Sequence, residues 1–99
     1  MSYAVRVRRA AEIDIAEAQI WYETQREGLG AGFHDEVSQV FDRLAATPLI
    51  YPAAYRDVRK AVVHRFPYLV WYRIVDNIVT VLACSDGRQD PGNPLSRFQ

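Results

Sequence analysis

Apolar positions recur along this chain with two different periods, and each change of period marks an element. Tyr3–Arg8 alternates, with Tyr3, Val5 and Val7 on one side and Arg6 and Arg8 on the other, which predicts a short strand. From about Ala10 to Arg26 the period becomes helical. Ile13, Ala16 and Ile20 form one apolar stripe, and Ile15, Ala18 and Tyr22 form a second on nearly the opposite side, with Trp21 between them. A helix apolar on two sides is either sandwiched between neighbours or presents one side to a partner. Gly28, Gly30 and Gly32 interrupt the pattern. A second helix is predicted from about Ala31 to Ala46, with Phe33, Val37, Val40 and Leu44 in one stripe that Phe41 and Ala45 widen, and Pro48 ends it.

Three runs rich in β-branched and aromatic residues follow: Val58–Phe66, Tyr68–Val75 and Ile78–Cys84. Turn signals separate them, which predicts an antiparallel meander. Asp76-Asn77 reads as a two-residue hairpin. That turn sets Val75 opposite Ile78, Arg73 opposite Thr80, Trp71 opposite Leu82 and Leu69 opposite Cys84. Tyr72, Ile74, Val79 and Val81 then share the face expected to meet the helices. Trp71, Arg73 and Thr80 share the open face, where parity also places Asp86 and Arg88. The turn at Phe66-Pro67 leaves two alternatives. An even-length turn puts Lys60 and His64 beside Arg73, and an odd-length turn puts Arg59 and Arg65 there. Arginines inside apolar strands emerge on a surface that water or a partner reaches, because an unpaired buried charge is costly.

The resulting order is β-α-α-β-β-β, an α+β fold with a helical hairpin packed on one face of a small, mainly antiparallel sheet. Residues 1–99 read as one domain, of which 92–99, with Gly92 and Pro94, form an irregular tail. At 99 residues the chain can bury one modest core, and a hydrophobic content of 49% argues against disorder. No apolar run reaches the roughly 18 residues of a membrane span, and the first residues lack the apolar segment of a secretory signal. Cys84 stands alone, so an intrachain disulfide is excluded and a reducing cytoplasm is the natural setting. At a strand end it reads as a small core residue.

Formal net charge is zero, but its distribution is uneven. Residues 10–52 carry eight acidic side chains against Arg26 and Arg43, whereas residues 53–99 carry seven basic against four acidic. Eleven of the twelve basic residues are arginine, whose planar fork suits carboxylates and phosphates. No cysteine–histidine set has zinc spacing, no glycine-rich loop carries a phosphate-binding lysine, and no Ser-His-Asp order is motif-supported, so neither a metal nor a cofactor is expected.

Several segments, in order, carry a resemblance. They are Ala11, Asp14, Ile15 and Trp21-Tyr22-Glu23 in the first helix; Leu29-Gly30, Phe33, Glu36-Val37, Pro48 and Tyr51-Pro52 around the second; and Val58-Arg59, Arg65-Phe66-Pro67-Tyr68, Tyr72 and Gly87-Arg88-Gln89-Asp90-Pro91 in the sheet region. Their order, spacing and total length resemble the ParE/RelE superfamily of toxins from bacterial type II toxin–antitoxin modules. The Arg-Phe-Pro-Tyr run and the Gly-Arg-x-Asp-Pro ending look more like the ParE branch. That resemblance implies a toxin that inhibits DNA gyrase and is neutralised by a cognate antitoxin in a hetero-oligomer. The RelE alternative implies ribosome-dependent cleavage of mRNA. A third reading is an inactive relative that only binds antitoxin, because Asp86 stands where many relatives have histidine.

Candidate target-binding residues are Arg59, Lys60, Arg65, Arg73, Asp86 and Arg88, and candidate antitoxin anchors are Trp21, Tyr22, Phe41 and Trp71. A metal-independent ribonuclease also needs a base and an acid. His64 reads as a structural strand residue and His34 as a surface residue. The tail after Arg88 has no tyrosine or histidine, and Asp86 beside Arg88 is expected to be a weakened base. No catalytic residue is assigned, and gyrase inhibition without enzymatic chemistry is the favoured expectation.

Overall fold

Strands far apart in sequence close the sheet. A computed structural model of the chain describes residues 2–87, and in it β1 (Ala4–Val7) lies parallel to β5 (Ile78–Asp86), with Val5 beside Val79. β5 pairs antiparallel with β4 (Tyr68–Val75), β4 with β3 (Val58–Val62), and β3 with the short β2 (Ala53–Tyr55). The strand order is β1-β5-β4-β3-β2. Two helices, α1 (Arg9–Gln25) and α2 (Leu29–Ala46), pack on one face of this mixed sheet, giving the expected α+β layout. β2 was not expected. Its three residues are too few to carry a periodic signal, and a turn with Arg56 at φ +50° folds it onto β3.

α1 begins in a run of strong helix formers that includes Ala10, Ala11 and Glu12. Ala11, Ala18 and Tyr22 are buried against the sheet, while the other predicted stripe is open, with Ile13 47% and Ile20 66% exposed. α2 buries Phe33, Val37, Val40 and Leu44. It starts at Leu29 rather than Ala31 because Glu23, near the end of α1, accepts the Gly28 amide at 3.0 Å and the Gly30 amide at 2.9 Å. A helix start leaves amides without intrahelical acceptors, and this carboxylate satisfies two of them. Gly30 has no room for a side chain, since a Cβ there would lie 2.7 Å from the Gln19 carbonyl oxygen. After Thr47 a 3-10 turn, Pro48–Ile50, leads to β2. The Tyr72 hydroxyl donates to the Pro48 carbonyl at 2.6 Å, and burial pushes its phenol up to about 12.

Arg59 pairs with Tyr72 and Lys60 with Trp71, which resolves the two alternatives left by the Phe66-Pro67 turn. Lys60 shares the face of Arg73, and Arg59 shares the face of the helices. β3 ends earlier than Phe66. The chain leaves it in a turn containing Arg65 at φ +72°, and the Val63 amide donates to the Tyr68 carbonyl at 2.9 Å. His64 is exposed in that turn.

The expected β4–β5 register holds from Val75–Ile78 to Tyr72–Val81 and then shifts. Trp71 pairs with Ala83 rather than Leu82, and Leu69 with Ser85 rather than Cys84. A bulge puts two residues of one strand opposite one of its partner. Leu82 and Ala83 consequently lie in the same apolar cluster, with Trp71 and Val58, on the face away from the helices. Every later side chain of β5 is reversed. Cys84 enters the main core, and Asp86 sits opposite Tyr68 on the helix side, not beside Arg73 as parity alone suggested. Just past the bulge, Asp14 of α1 accepts the Cys84 amide at 2.9 Å. Among the described residues no helix is long and apolar enough to cross a membrane. The expected tail, 92–99, lies outside the described residues.

Two predictions follow from these ties. Asp14→Ala removes the acceptor of a partly buried amide and should lower unfolding free energy by about 1–3 kcal/mol in urea titrations, with Asp14→Asn losing less. Glu23 is held below the usual carboxylate range by the Gly28 and then the Gly30 amide. A carboxyl lowered on folding adds stability above its unfolded value, and that stability is lost as pH falls through the folded one. The advantage of the wild-type chain over Glu23→Gln should therefore be full at about pH 7 and shrink as pH falls below about 4.3, measured by urea unfolding across that range.

Candidate functional site

Consecutive residues on a helix point about 100° apart, and Trp21 and Tyr22 use that difference. Tyr22 turns inward and joins Phe33, Phe66 and Tyr68 in a cluster of rings, 4.8 Å from Phe66 and 5.3 Å from Phe33 between centroids. Trp21 stays 51% exposed, with its ring edge-on to Tyr22 at 5.1 Å. Edge-to-face contacts of this kind fix ring positions beyond what burial alone does. Between Trp21 and the β3–β4 turn lies an open groove of about 540 Å³. Tyr22, Phe66 and Pro67 line it, and Arg26 and Arg65 stand on it.

Arg65 is held from two sides. Its Nη1 lies 3.6 Å from Glu36 Oε2, and its guanidinium carbon lies 5.8 Å from the centre of the Phe66 ring. Glu36 is the buried charged residue among the described ones, and it reaches the edge of the core from the inner side of α2. Arg26 makes no ion pair among the described residues.

The structure brings Trp21, Tyr22 and Arg65 together and places the other candidates elsewhere. Phe41 is half-buried on the far side of α1, where it borders a shallow depression with Val7 and Ile15. Trp71 is only 8% exposed. Its indole N–H donates to Ser85 Oγ at 2.8 Å, and Lys60 Nζ lies 5.7 Å from its ring centre. Arg73, on the same face, pairs with Asp57 at 3.3 Å. Arg59 donates to the Tyr51 carbonyl, and Arg43 Nε donates to the Tyr51 hydroxyl at 3.2 Å. Asp86 is on the helix side of the sheet, and Arg88 lies outside the described residues. His34 faces Asp35 at 3.9 Å on the exposed side of α2, and His64 is exposed in the β3–β4 turn. No group of metal-ligating side chains occurs among the described residues.

The candidates taken from the sequence included neither Arg26, which lines the groove, nor Glu36, which pairs with Arg65. Glu36 had a signal, because it falls between Phe33 and Val37 on the apolar stripe of α2. Arg26 had none, since no periodic pattern distinguishes a cation at the end of a helix.

A family model described as the ParE toxin of type II toxin–antitoxin systems matches residues 5–91. No curated protein sequence matches the chain. Among solved structures, the fold is similar to the chromosomal ParDE toxin–antitoxin system of P. aeruginosa, with a TM-score of 0.74 at 14% identity, covering 86% of this chain and 96% of that one. It is also similar to the toxin–antitoxin complex RelBE2 of Mycobacterium tuberculosis, with a TM-score of 0.61 at 22% identity, covering 87% and 99%. At these identities the likeness concerns the fold.

The division between exposed and buried rings gives a direct prediction. Trp21→Ala should leave stability within about 0.5 kcal/mol of wild type, whereas Phe33→Ala should cost about 3–5 kcal/mol, both read from chemical denaturation.

Proposed function

The chain belongs to the ParE toxin family of type II toxin–antitoxin systems, and from that membership we propose that, when free, it arrests growth by binding DNA gyrase in the cytoplasm and that a cognate antitoxin neutralises it. The observation that carries this reading is the family match over residues 5–91. The solved relatives are themselves toxin–antitoxin assemblies, which supports an antitoxin partner. Exposed apolar side chains on α1, at Ile13, Ile20 and Trp21, supply a surface of the kind that protein partners cover.

The target-facing surface is assigned to the open sheet face, where Lys60 and Arg73 stand beside Trp71. Arg59 is engaged with Tyr51 on the other side and takes a structural role. The geometry favours binding over RNA cleavage. Cleavage needs a base near the cations that hold the phosphate, and the Asp86 carboxylate is on the opposite face from Arg73.

Induced expression without antitoxin should arrest growth, with trapped gyrase–DNA complexes and an SOS response, while transcripts stay intact by primer extension. Ribosome-dependent cuts in mRNA would overturn the gyrase reading in favour of a nuclease. Replacing both Lys60 and Arg73 by alanine should raise the expression level needed for arrest by about tenfold.

A further inference from the structure

The groove beside Trp21 combines three properties that a binding anchor needs. Its walls are aromatic and apolar, from Trp21, Tyr22, Phe66 and Pro67, and they are positioned by ring contacts inside the core rather than by the exposed side chains themselves. Rings held in this way lose little freedom when a ligand arrives. Two arginines, Arg26 and Arg65, line it as well. One of them, Arg65, is fixed in advance.

The fixing of Arg65 is unusual. Its backbone sits at φ +72°, a left-handed conformation that a long side chain rarely adopts. Glu36 engages its Nη1, and the guanidinium stacks near Phe66. The side chain nevertheless remains 54% exposed. A guanidinium has five N–H donors in a planar fork, more than one carboxylate can take up. Strain of this kind in the backbone is a pointer to a site when a second feature agrees with it. Here the second feature is a second guanidinium: Arg26 lines the same groove and makes no ion pair among the described residues, so two arginines converge on one apolar groove.

We propose that this groove is the anchor site for a segment of the antitoxin in which a bulky apolar side chain stands next to a carboxylate. The apolar group fills the space between Trp21 and Phe66. The carboxylate receives hydrogen bonds from Arg26 and from the exposed Arg65 side chain. Tryptophan, tyrosine and arginine around one pocket are the residue types that dominate binding energy at protein interfaces. The proposal rests on the antitoxin reading given above, and it adds which surface takes the partner and what chemistry the partner must bring.

The test uses the full chain labelled with nitrogen-15 and two synthetic peptides, blocked at both ends. One presents phenylalanine followed by glutamate and aspartate, and the other has lysine at both acidic positions. The two indole N–H signals report separately on the groove (Trp21) and the far sheet face (Trp71). The acidic peptide should shift the Trp21 signal saturably and leave Trp71 in place, and the lysine peptide should bind at least about tenfold more weakly. Arg26→Glu, at an exposed position, should retain the folded spectrum and invert the preference between the peptides. No saturable shift, a response centred on Trp71, or an unchanged preference after Arg26→Glu would each overturn the proposal. Growth arrest plays no part in this titration, so failure of the toxin reading and failure of the groove are seen in different experiments.

Discussion

The carboxylate of Glu23 joins the two helices at the point on which the rest of the architecture depends. A helix beginning with Leu29-Gly30-Ala31 has no side-chain cap of its own, and Gly28 before it offers none. Glu23 supplies the missing acceptor from the neighbouring helix, bonding the Gly28 and Gly30 amides together. The bare Cα of Gly30 allows α2 to approach the Gln19 carbonyl closely. The last turn of α1 is thus locked to the first turn of α2. The lock fixes where Trp21, Tyr22 and Arg26 stand relative to Leu29, and hence one whole wall of the groove. The opposite wall, Phe66 and Pro67, is set by ring packing of Phe66 against Tyr22 and Phe33.

Basic residues that look alike in the sequence have different lives in the fold. Arg59 holds the Tyr51 carbonyl, Arg65 neutralises buried Glu36, and Arg73 pairs with Asp57. Lys60 lies near the ring of Trp71. Among the described residues, the surplus of arginine in the second half of the chain therefore does not produce one continuous basic face. Much of it organises loops and turns, at β2, at the β3–β4 connection and at Tyr51. Exposed pairs such as Arg73–Asp57 add little stability, whereas the contact to Glu36 matters more because one partner is largely withdrawn from water.

Both helices, the β4–β5 hairpin and the face that meets the helices were legible because each rests on periodicity over many residues. Tyr72, Val79 and Val81 enter the core as the alternation requires. Legibility stopped at Leu82-Ala83. Nothing in IVTVLAC marks where an extra residue is inserted, since every member of the run is compatible with either face. The Asp14 carboxylate on the Cys84 amide is a contact between residues 70 positions apart, and no local pattern foretells it. The same insertion moved Asp86 across the sheet and left Trp71 in a small apolar cluster with Leu82 and Ala83. The groove was half legible. Trp21 stood out as a large ring outside the helix stripes, but its alignment with Arg65 required the turn after β3, whose length the sequence left open.

The parallel pairing of β1 with β5 has a consequence for how the molecule comes into being. β1 precedes the other described strands in the chain, yet its hydrogen-bonding neighbour is the last of them, with Val5 beside Val79 and Val7 beside Val81. The α1–α2 hairpin and the β3–β4–β5 meander can each form from nearby residues, but the sheet cannot be completed until synthesis has passed Val81. Contacts between distant segments are slow to form, because loop-closure entropy must be overcome before they are rewarded. A nascent chain therefore carries an unpaired β1 until β5 has been made. The arrangement orders events in time: the contacts of Val5 and Val7 with Val79 and Val81 wait for β5, and so does any surface that needs the β1–β5 pairing.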